Sequence, residues 1–420
     1  MIARRLLRGL LLTLSGLFVA AVLAGVAFAG VVASTPLPMV PAAPANVPTT
    51  QPVTFQWTRG SSVAVGTLDA GLKARAGELG PRPTASIAKV ITVLVVASVR
   101  PLAAGEDGPT YTISADDIAR LNDTLAHGGS FYAVTAGDVW TQRQILSAIL
   151  LVSANNLADS YAIWAFGSMA AYHDAATAWL ANHGLHHTTV GPDASGIDPS
   201  TTSTTADLFE LGRIFMHDPA LSAIAALSHA EVPGGKTIEN TDPLVSHDGY
   251  VGVKTGTLTP AGYCLLIANR QTIGGVDVVV IGVVLNETDA AARNQSARDL
   301  VNFALANLVP AGVPAGQAFG YATDYDGRLL PIVAASGVVG VRWRDDPVTV
   351  SIDVPAEGLS VPLVKGRVLG SVTVLGQTIP LVLDGEQSVP DMDWRLTHLD
   401  RLVWCDSPIS NIWPGESACP

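Results

Sequence analysis

Ser86 and Lys89 stand three residues apart inside the largely apolar run from Thr84 to Val99. Ile87, Val90, Ile91, Leu94 and Val95 recur at i, i+3, i+4, i+7 and i+8, the period of a helix with one buried face. That period puts Ser86 and Lys89 on a common face, one turn apart. Lys89 is the only charge between Arg82 and Arg100. A lysine in such surroundings is costly to bury as a cation and tends to give up its proton. A neutral amine one turn from a hydroxyl is a general base beside a nucleophile. Taken alone, the pair reads more simply as a serine and a snorkelling lysine on a core helix. What overturns the simple reading lies further along the chain.

Two more polar motifs follow in order: Ser153-Ala154-Asn155 and Lys254-Thr255-Gly256. Lysine usage makes them stand out. The chain has five lysines, at 73, 89, 236, 254 and 365, against 19 arginines, and two of the five fall in the motifs. An arginine cannot release its proton and a lysine can, so a chain that otherwise prefers arginine keeps lysine where an amine is chemically needed.

The elements that must position these residues follow from pattern. The first motif opens the helix at Ser86. Thr141-x-x-Gln144 is a capping-box pattern ahead of a second helix with Ile145, Leu146, Ile149 and Leu150 on its apolar face; that helix delivers Ser153 and Asn155 where small polar residues break the run. A short helix is expected near Ser114–Leu121, helices to about His183, a Pro/Asp/Ser/Thr loop over 191–205, and a helix from Thr205-Ala206-Asp207 to about Met216. From Tyr250 the period becomes that of strands: Val251 to Thr257, Gly262 to Asn269 and Val276 to Leu285, the last two joined by a turn at Gln271–Gly275 as an antiparallel hairpin. The third motif therefore sits on an edge-like strand. Ser62 to Ala76 reads as strands about a turn at Asp69-Ala70-Gly71, and a helix is expected from about Asp289 to Leu308.

The 420 residues divide into segments. Arg4, Arg5 and Arg8 precede an uncharged run of 25 residues, Gly9 to Ala33, long enough to cross a bilayer as a helix with the N-terminus inside and the rest outside. Residues 1–33 are thus a retained membrane anchor, the favoured reading for so long a run, or a signal peptide cleaved near Ala27-Phe28-Ala29 or Val31-Val32-Ala33. Both export the remainder. Residues 34–56 hold six prolines and no charge and read as an extended linker. A catalytic domain is expected over 57–310, a small β domain over 317–385 (Val348, Val350, Ile352 and Val354 alternate, as do Val372 and Val374) and a tail over 386–420 with one amphipathic patch, Trp394 to Trp404. The net charge is −12, and more negative still without the three N-terminal arginines, which argues against nucleic acid as a partner. Cys264 reads as a buried thiol. Cys405 and Cys419, with 13 residues between them, are free to pair outside the membrane, closing a loop worth roughly 3 kcal/mol on a chain-entropy argument.

The three motifs together are those of penicillin-binding proteins and their β-lactamase relatives. From about residue 57 to 308 the chain resembles the low-molecular-mass penicillin-binding proteins, the serine-type D-alanyl-D-alanine carboxypeptidase family. Arg82-Pro83-Thr84-Ala85-Ser86 is similar to that family's lead-in. Lys254 through Leu265 matches its third motif and the strand after it, and Gly191 to Asp207 resembles its intervening segment. Ala154 stands where the family usually has glycine and Asn156 where it often has aspartate. Residues 317–385 resemble the family's C-terminal β domain loosely. The resemblance implies an α+β transpeptidase-type fold, an antiparallel sheet flanked by helices plus a helical lobe, with the motifs in the cleft, followed by a small all-β domain. It implies that Ser86 attacks the carbonyl between two D-alanines and Lys89 takes its proton, kept neutral by nearby cationic Lys254. Ser153 passes a proton to the leaving D-alanine, Asn155 holds the substrate amide and Lys89, and the N–H groups of Ser86 and Thr257 form an oxyanion hole. Lys254, Thr255, Gly256 and Thr257 bind the terminal carboxylate. Of the two lysines, Lys89 is expected to be the more buried and neutral, Lys254 charged at the cleft edge. No metal or cofactor is implied. The implied partners are a peptidoglycan stem peptide and, as covalent inhibitors, β-lactams; the implied state is a monomer at the outer face of the cytoplasmic membrane.

Other readings fare worse. No Gly-x-Ser-x-Gly elbow suggests a Ser-His-Asp hydrolase, and His183, His186 and His187 lack a His-Glu-x-x-His pattern. A class A β-lactamase needs a glutamate to activate the deacylating water; Glu210, Glu231 and Glu239, the only glutamates between motifs two and three, do not sit in a suitable loop. The intact motifs argue against a non-catalytic β-lactam-binding sensor or scaffold, while an endopeptidase cutting crosslinks uses the same residues and is not separated from a carboxypeptidase by sequence.

Overall fold

The computed structural model describes residues 2–35, 42–44, 50–353 and 359–402. Val354, Cys405, Cys419 and the end of the Trp394–Trp404 patch lie outside them. The chain divides into two units: Pro52–Pro310 with Val341–Asp345, and Met1–Gln51 with Ala311–Gly340 and Asp346–Pro420.

The unit holding both termini begins with helix α1, Ile2–Ser34. Its segment Leu6–Ser34 has a mean hydropathy of 2.4 over its most apolar window, long and apolar enough to span a bilayer. The C-terminal end of α1 is not free. Val32 is fully buried and packs with Leu402, with Met392, Trp394 and Leu399 around them. Arg395 donates to the carbonyls of Val32, 3.1 Å, and Thr35, 2.8 Å. A helix end leaves its last carbonyls without partners, and a cation there satisfies them and meets the negative end of the dipole. The amphipathic patch of the tail is therefore, as far as Leu402, a short helix, Met392–Thr397, and a single turn seated on α1. Trp394 also donates to Asp326 Oδ1, 2.7 Å, and its ring meets Tyr325 at 4.6 Å, while Arg401 donates to the Tyr325 carbonyl.

The same unit contains a six-stranded antiparallel sheet in the order Ala42–Pro44, Ala318–Thr323, Leu329–Ala334, Gln377–Leu383, Val368–Val374, Thr349–Ile352. Its core holds Phe319, Leu330, Ile332, Val372, Val374, Leu381 and Leu383, with Val350 and Ile352 partly buried against it. Ala42–Pro44 departs from the expected extended linker: it is an edge strand, Ala42 opposite Ala322 and Pro44 opposite Gly320. Proline removes a ladder donor, which an edge position tolerates.

The other unit is built on a five-stranded antiparallel sheet. Its strands are β1, Ser62–Thr67; β2, Gly71–Ala76; β3, Tyr250–Leu258; β4, Gly262–Ile273; and β5, Val276–Glu287, in the order β3-β4-β5-β1-β2. The apolar runs of β4 and β5 are continuous because both faces are covered. Cys264, Leu266 and Ala268 join Ile281 and Val283 on one face, while Leu265 and Ile267 join Val280 and Val284 on the other. The helices are α2, Ala88–Ala97; α3, Ala115–Ala126; α4, Gln142–Leu151; α5, Asn155–Phe166; α6, Met169–Asn182; α7, Thr205–His217; α8, Pro219–Ala225; and α9, Ala290–Asn307. α7 packs on one face of the sheet and α9 on the other. Capping boxes start α3 at Ser114/Asp117 and α4 at Thr141/Gln144. The chain returns after Gly340 to pair Val341–Trp343 with Leu308–Pro310.

The sequence period assigned α2 one buried face. Every residue from Ala88 to Val96 is buried, because α4, α5, α6 and α7 all pack against this helix. The polar members that looked outward are satisfied inside: Thr92 Oγ1 donates to the Ala194 carbonyl at 2.6 Å and lies 2.8 Å from the Tyr172 hydroxyl. α2 is thus a central strut of the helical lobe, and the 3-10 turn that leads into it, Ala85–Ile87, lies against β3.

Candidate active site

Ser86 sits not on α2 itself but in a 3-10 turn, Ala85–Ile87, that leads into it. Arg82–Pro83 pairs with Thr202–Ser203, and the Thr84 N–H donates to the Thr201 carbonyl, 3.1 Å. Ala85 is held at φ +48, a left-handed conformation unfavourable for a residue with a Cβ. Gly256 of β3 passes so close that a Cβ would stand 3.0 Å from the Thr84 carbonyl oxygen and 3.2 Å from Ser86 N. Glycine at this point of the third motif lets the strand run against the turn that carries the first. Ser86 keeps partial exposure among buried neighbours, so its hydroxyl is reachable.

Lys89 is fully buried. Its Nζ lies 2.8 Å from Ser86 Oγ, 2.7 Å from Asn155 Oδ1 and 2.9 Å from the Ser195 carbonyl oxygen. Burial, and next the charge of Lys254, hold its pKa well below the usual lysine range, against the opposing carboxylates of Asp159 and Asp193. A neutral amine has two N–H bonds and one lone pair. The amide oxygen of Asn155 and the carbonyl of Ser195 only accept, so they take the two N–H bonds, and the lone pair is left facing the Ser86 hydroxyl.

The second motif is placed by the end of α4. Val152 caps the helix and Ser153 follows at φ +62, while Ala154 N–H reaches back to the Ala148 carbonyl at 3.1 Å. This is the left-handed helix stop usually given to glycine. The Leu151 carbonyl accepts both the backbone N–H and the hydroxyl of Thr241, 3.0 and 2.8 Å. Ser153 Oγ is buried and meets no hydrogen-bond partner among the described residues. A hydroxyl left unpaired in this way is ready for an incoming group. α5 starts at Asn155, whose N–H donates to the Ser130 carbonyl, 2.8 Å. Asn156 holds the backbone of Tyr132 at both ends, accepting from its N–H at 3.1 Å and donating to its carbonyl at 3.0 Å.

The third motif lies on β3, the edge strand. Lys254 and Gly256 are buried, Thr255 is partly exposed and Thr257 exposed. Lys254 is as buried as Lys89, at 1% and 0% exposure, so burial does not set the two apart in the way expected, with Lys89 the more buried. Burial pulls the Lys254 pKa down to about 7; Asp242 opposes this and Arg293 adds to it. Its Nζ donates to the Thr255 carbonyl, 3.2 Å. The expected permanent cation is therefore a group poised near neutrality, because the strand is backed by helices rather than by solvent.

Sequence reasoning missed the acids behind the lysines and the carbonyl of Ser195. Asp159, on α5, accepts from the Ala194 N–H at 2.9 Å, and burial pushes its pKa up to about 6. Asp242 and Arg293 are buried together behind Lys254. Thr92, the one hydroxyl within the apolar stretch of α2, was the available signal for a polar partner on that side. The arrangement joins a reachable hydroxyl, an amine with its lone pair directed at it, a second free hydroxyl and a buried amine that can carry a positive charge.

Residues 75–289 match the D-alanyl-D-alanine carboxypeptidase family of peptidases, designated S11. The chain is 28% identical over 244 residues to a D-alanyl-D-alanine carboxypeptidase of Streptomyces sp. strain K15, covering 54% of this chain and 79% of that one. It is 33% identical over 184 residues to the D-alanyl-D-alanine carboxypeptidase DacB2 of Mycobacterium tuberculosis, covering 41% of this chain and 57% of the relative. The crystal structure of the D-alanyl-D-alanine carboxypeptidase DacD from Francisella tularensis superimposes with a TM-score of 0.57 at 18% identity, over 82% of this chain and 98% of that one, a likeness of fold.

Proposed function

The chain belongs to the D-alanyl-D-alanine carboxypeptidase family, and from that premise we propose that it removes the terminal D-alanine of peptidoglycan stem peptides through an acyl-enzyme on Ser86. The observation that carries this is the Lys89 amine, buried and 2.8 Å from Ser86 Oγ, with both N–H bonds engaged elsewhere. Lys89 accepts the Ser86 proton as Oγ attacks the carbonyl carbon of the penultimate D-alanine. The oxygen of the tetrahedral intermediate is met by the N–H groups of Ser86 and Thr257. Ser153, whose hydroxyl is otherwise unpaired, gives its proton to the departing amine as the C–N bond breaks and takes the proton held by Lys89 in its place, which leaves Lys89 a free amine again. Lys254, Thr255 and Thr257 hold the terminal carboxylate, and Gly256 lets their strand approach. Asn155 orients Lys89 and the substrate amide. Water, deprotonated by the same base, cleaves the ester and returns the proton to Ser86. A β-lactam enters as the same acyl donor, but its leaving group stays tethered and the ester persists.

We assign catalysis to residues 57–310, the small β domain to 317–385 and the tail to 386–420. Residues 1–33 are read as a retained anchor and 34–56 as the segment that follows it, of which Ala42–Pro44 is an edge strand of the six-stranded sheet, holding the enzyme at the outer face of the cytoplasmic membrane.

The test is mass spectrometry of the full chain in detergent. Benzylpenicillin is expected to add covalently at Ser86, Ser86→Ala to abolish the adduct, and a stem pentapeptide to lose one D-alanine. An adduct elsewhere, or none with folded protein, overturns the assignment. A crosslinked stem-peptide dimer as second substrate separates carboxypeptidase from endopeptidase action.

A further inference from the structure

The carbonyl that takes one N–H of Lys89 belongs to Ser195, in a segment with no regular structure between α6 and α7. A loop carbonyl is a poor director of a catalytic lone pair unless something holds it. Asp193 does so from within the loop. Its Oδ1 accepts the N–H of Ser195 at 2.7 Å, the Ser195 hydroxyl at 2.7 Å, the N–H of Gly196 at 2.6 Å and that of Ile197 at 3.3 Å. Its Oδ2 accepts the N–H of Asp198 at 3.0 Å. Four successive amides wrapped on one carboxylate turn the intervening carbonyl outward, toward α2. Two further ties meet the neighbouring residue: Thr92 donates to the Ala194 carbonyl and Asp159 accepts the Ala194 N–H. Gly196, at φ +74, has no room for a Cβ, which would stand 2.3 Å from the Ala85 carbonyl oxygen. The loop is thereby pressed onto the turn that carries Ser86.

We propose that Asp193 is a positioning residue for the general base: by gathering the amides of residues 195–198 it aims the Ser195 carbonyl at Lys89, and so aims the amine's lone pair at Ser86. The inference rests on the reading of Lys89 as base and of Ser86 as nucleophile, and goes beyond it by naming what orients the base. Asp193 also acts through its charge. The charged groups facing Lys89 are Lys254 from β3, Asp159 from α5 and Asp193 from the loop. The two carboxylates favour the ammonium form, so removing one lowers the pH at which the free amine appears.

The experiment measures second-order acylation of the full chain by benzylpenicillin across pH, for wild type, Asp193→Asn and Asp193→Glu. The asparagine keeps the shape but loses the charge and puts an NH2 among N–H donors. It should acylate roughly a hundred-fold more slowly at neutral pH, the scale of a small misplacement of a reacting group, with the acid limb moved to lower pH. The glutamate keeps the charge but is one methylene too long to gather the amides. It should lose rate with the acid limb in place. An asparagine variant as fast as wild type, or slowed with its limb unmoved, overturns the proposal. Should Asp193→Asn not fold, Thr92→Val carries the test: it frees the Ala194 carbonyl without touching a charge, and an unchanged rate overturns the proposal where a loss supports it. Wild type that forms no adduct on Ser86 defeats the underlying assignment; wild type that forms one beside an unaffected Asp193→Asn defeats only the role of Asp193.

Discussion

In the proposed mechanism Lys89 and Lys254 are two amines of one kind with opposite tasks. Both are buried, so desolvation lowers both; Lys89 is pulled well below the usual lysine range and also feels the charge of Lys254, whereas Lys254 is pulled down to about 7 against the opposing charge of Asp242. That direction favours the free amine of Lys89 that the proposed mechanism needs. Lys254 is cationic below about pH 7 and loses its charge as pH rises through that value, and with it the attraction for a substrate carboxylate. The expected profile of kcat/KM falls on the alkaline side from about pH 7. Lys254→Arg keeps a cation that does not titrate there, so it should retain part of the activity and carry the alkaline fall to higher pH. Lys89→Arg keeps charge and approximate length but removes the base, and should lose acylation nearly as completely as Ser86→Ala. Acylation rates with one β-lactam across pH check both. If Lys89→Arg acylates as fast as Lys254→Arg, Lys89 is not the base.

At the scale of the element, the first two motifs sit where a regular structure stops or is strained. Ser86 lies in a 3-10 turn ahead of α2, behind Ala85 at φ +48, and Ser153 at the left-handed stop of α4, at φ +62. The conformation at Ser153 costs a residue with a Cβ on the order of 1 kcal/mol relative to glycine. Ser153→Ala and Ser153→Gly both delete the hydroxyl, so both should lose turnover. Only the glycine also relieves the backbone, and it should be the more stable of the two by about 1 kcal/mol. Denaturant unfolding of the two variants checks this; equal stabilities would show that the turn stores no strain at that residue. The elements themselves were largely legible: the capping pair Thr141 and Gln144, the hairpin period from Tyr250, and the helix opening at Thr205 are local signals, and each appears as an element in the structure. The 3-10 turn was not legible, because it arises from packing against Gly256, far away in sequence.

For the whole molecule, the question the sequence left open is the fate of residues 1–33. α1 is helical to Ser34, with Val32 buried and Arg395 on the carbonyls of Val32 and Thr35. A peptidase cleaving after Ala29 or Ala33 would remove or sever residues that the tail packs against. The mature protein is therefore expected to keep this segment, read from the intact mass of membrane-extracted protein; a mature N-terminus at Gly30 or Ser34 shows secretion instead. Arg395→Ala, with the anchor present, should cost about 0.3–1 kcal/mol, the scale of a cation at a helix C-terminus, measured by thermal unfolding in detergent. No loss would show that the contact carries no stability.

The motifs, their order and the choice of lysine over arginine were determined by the sequence alone, because residue type sets what a group can do chemically: a hydroxyl can attack, an amine can give up a proton, a guanidinium cannot. So too were the apolar N-terminal helix and the strands and helices with a clean period. What only the tertiary structure decided is which groups surround those residues. Lys89 meets Asn155, 66 residues on, and the Ser195 carbonyl, 106 residues on, and neither separation leaves a trace in local pattern. Backbone carbonyls and amides have no signature in a sequence, since every residue carries them. The Ser195 carbonyl and the amides held by Asp193 were invisible until the chain was folded. The same holds for burial: Lys254, on an edge-like strand, read as the less buried, charged amine, and only the helices packed behind that strand make its charge conditional on pH.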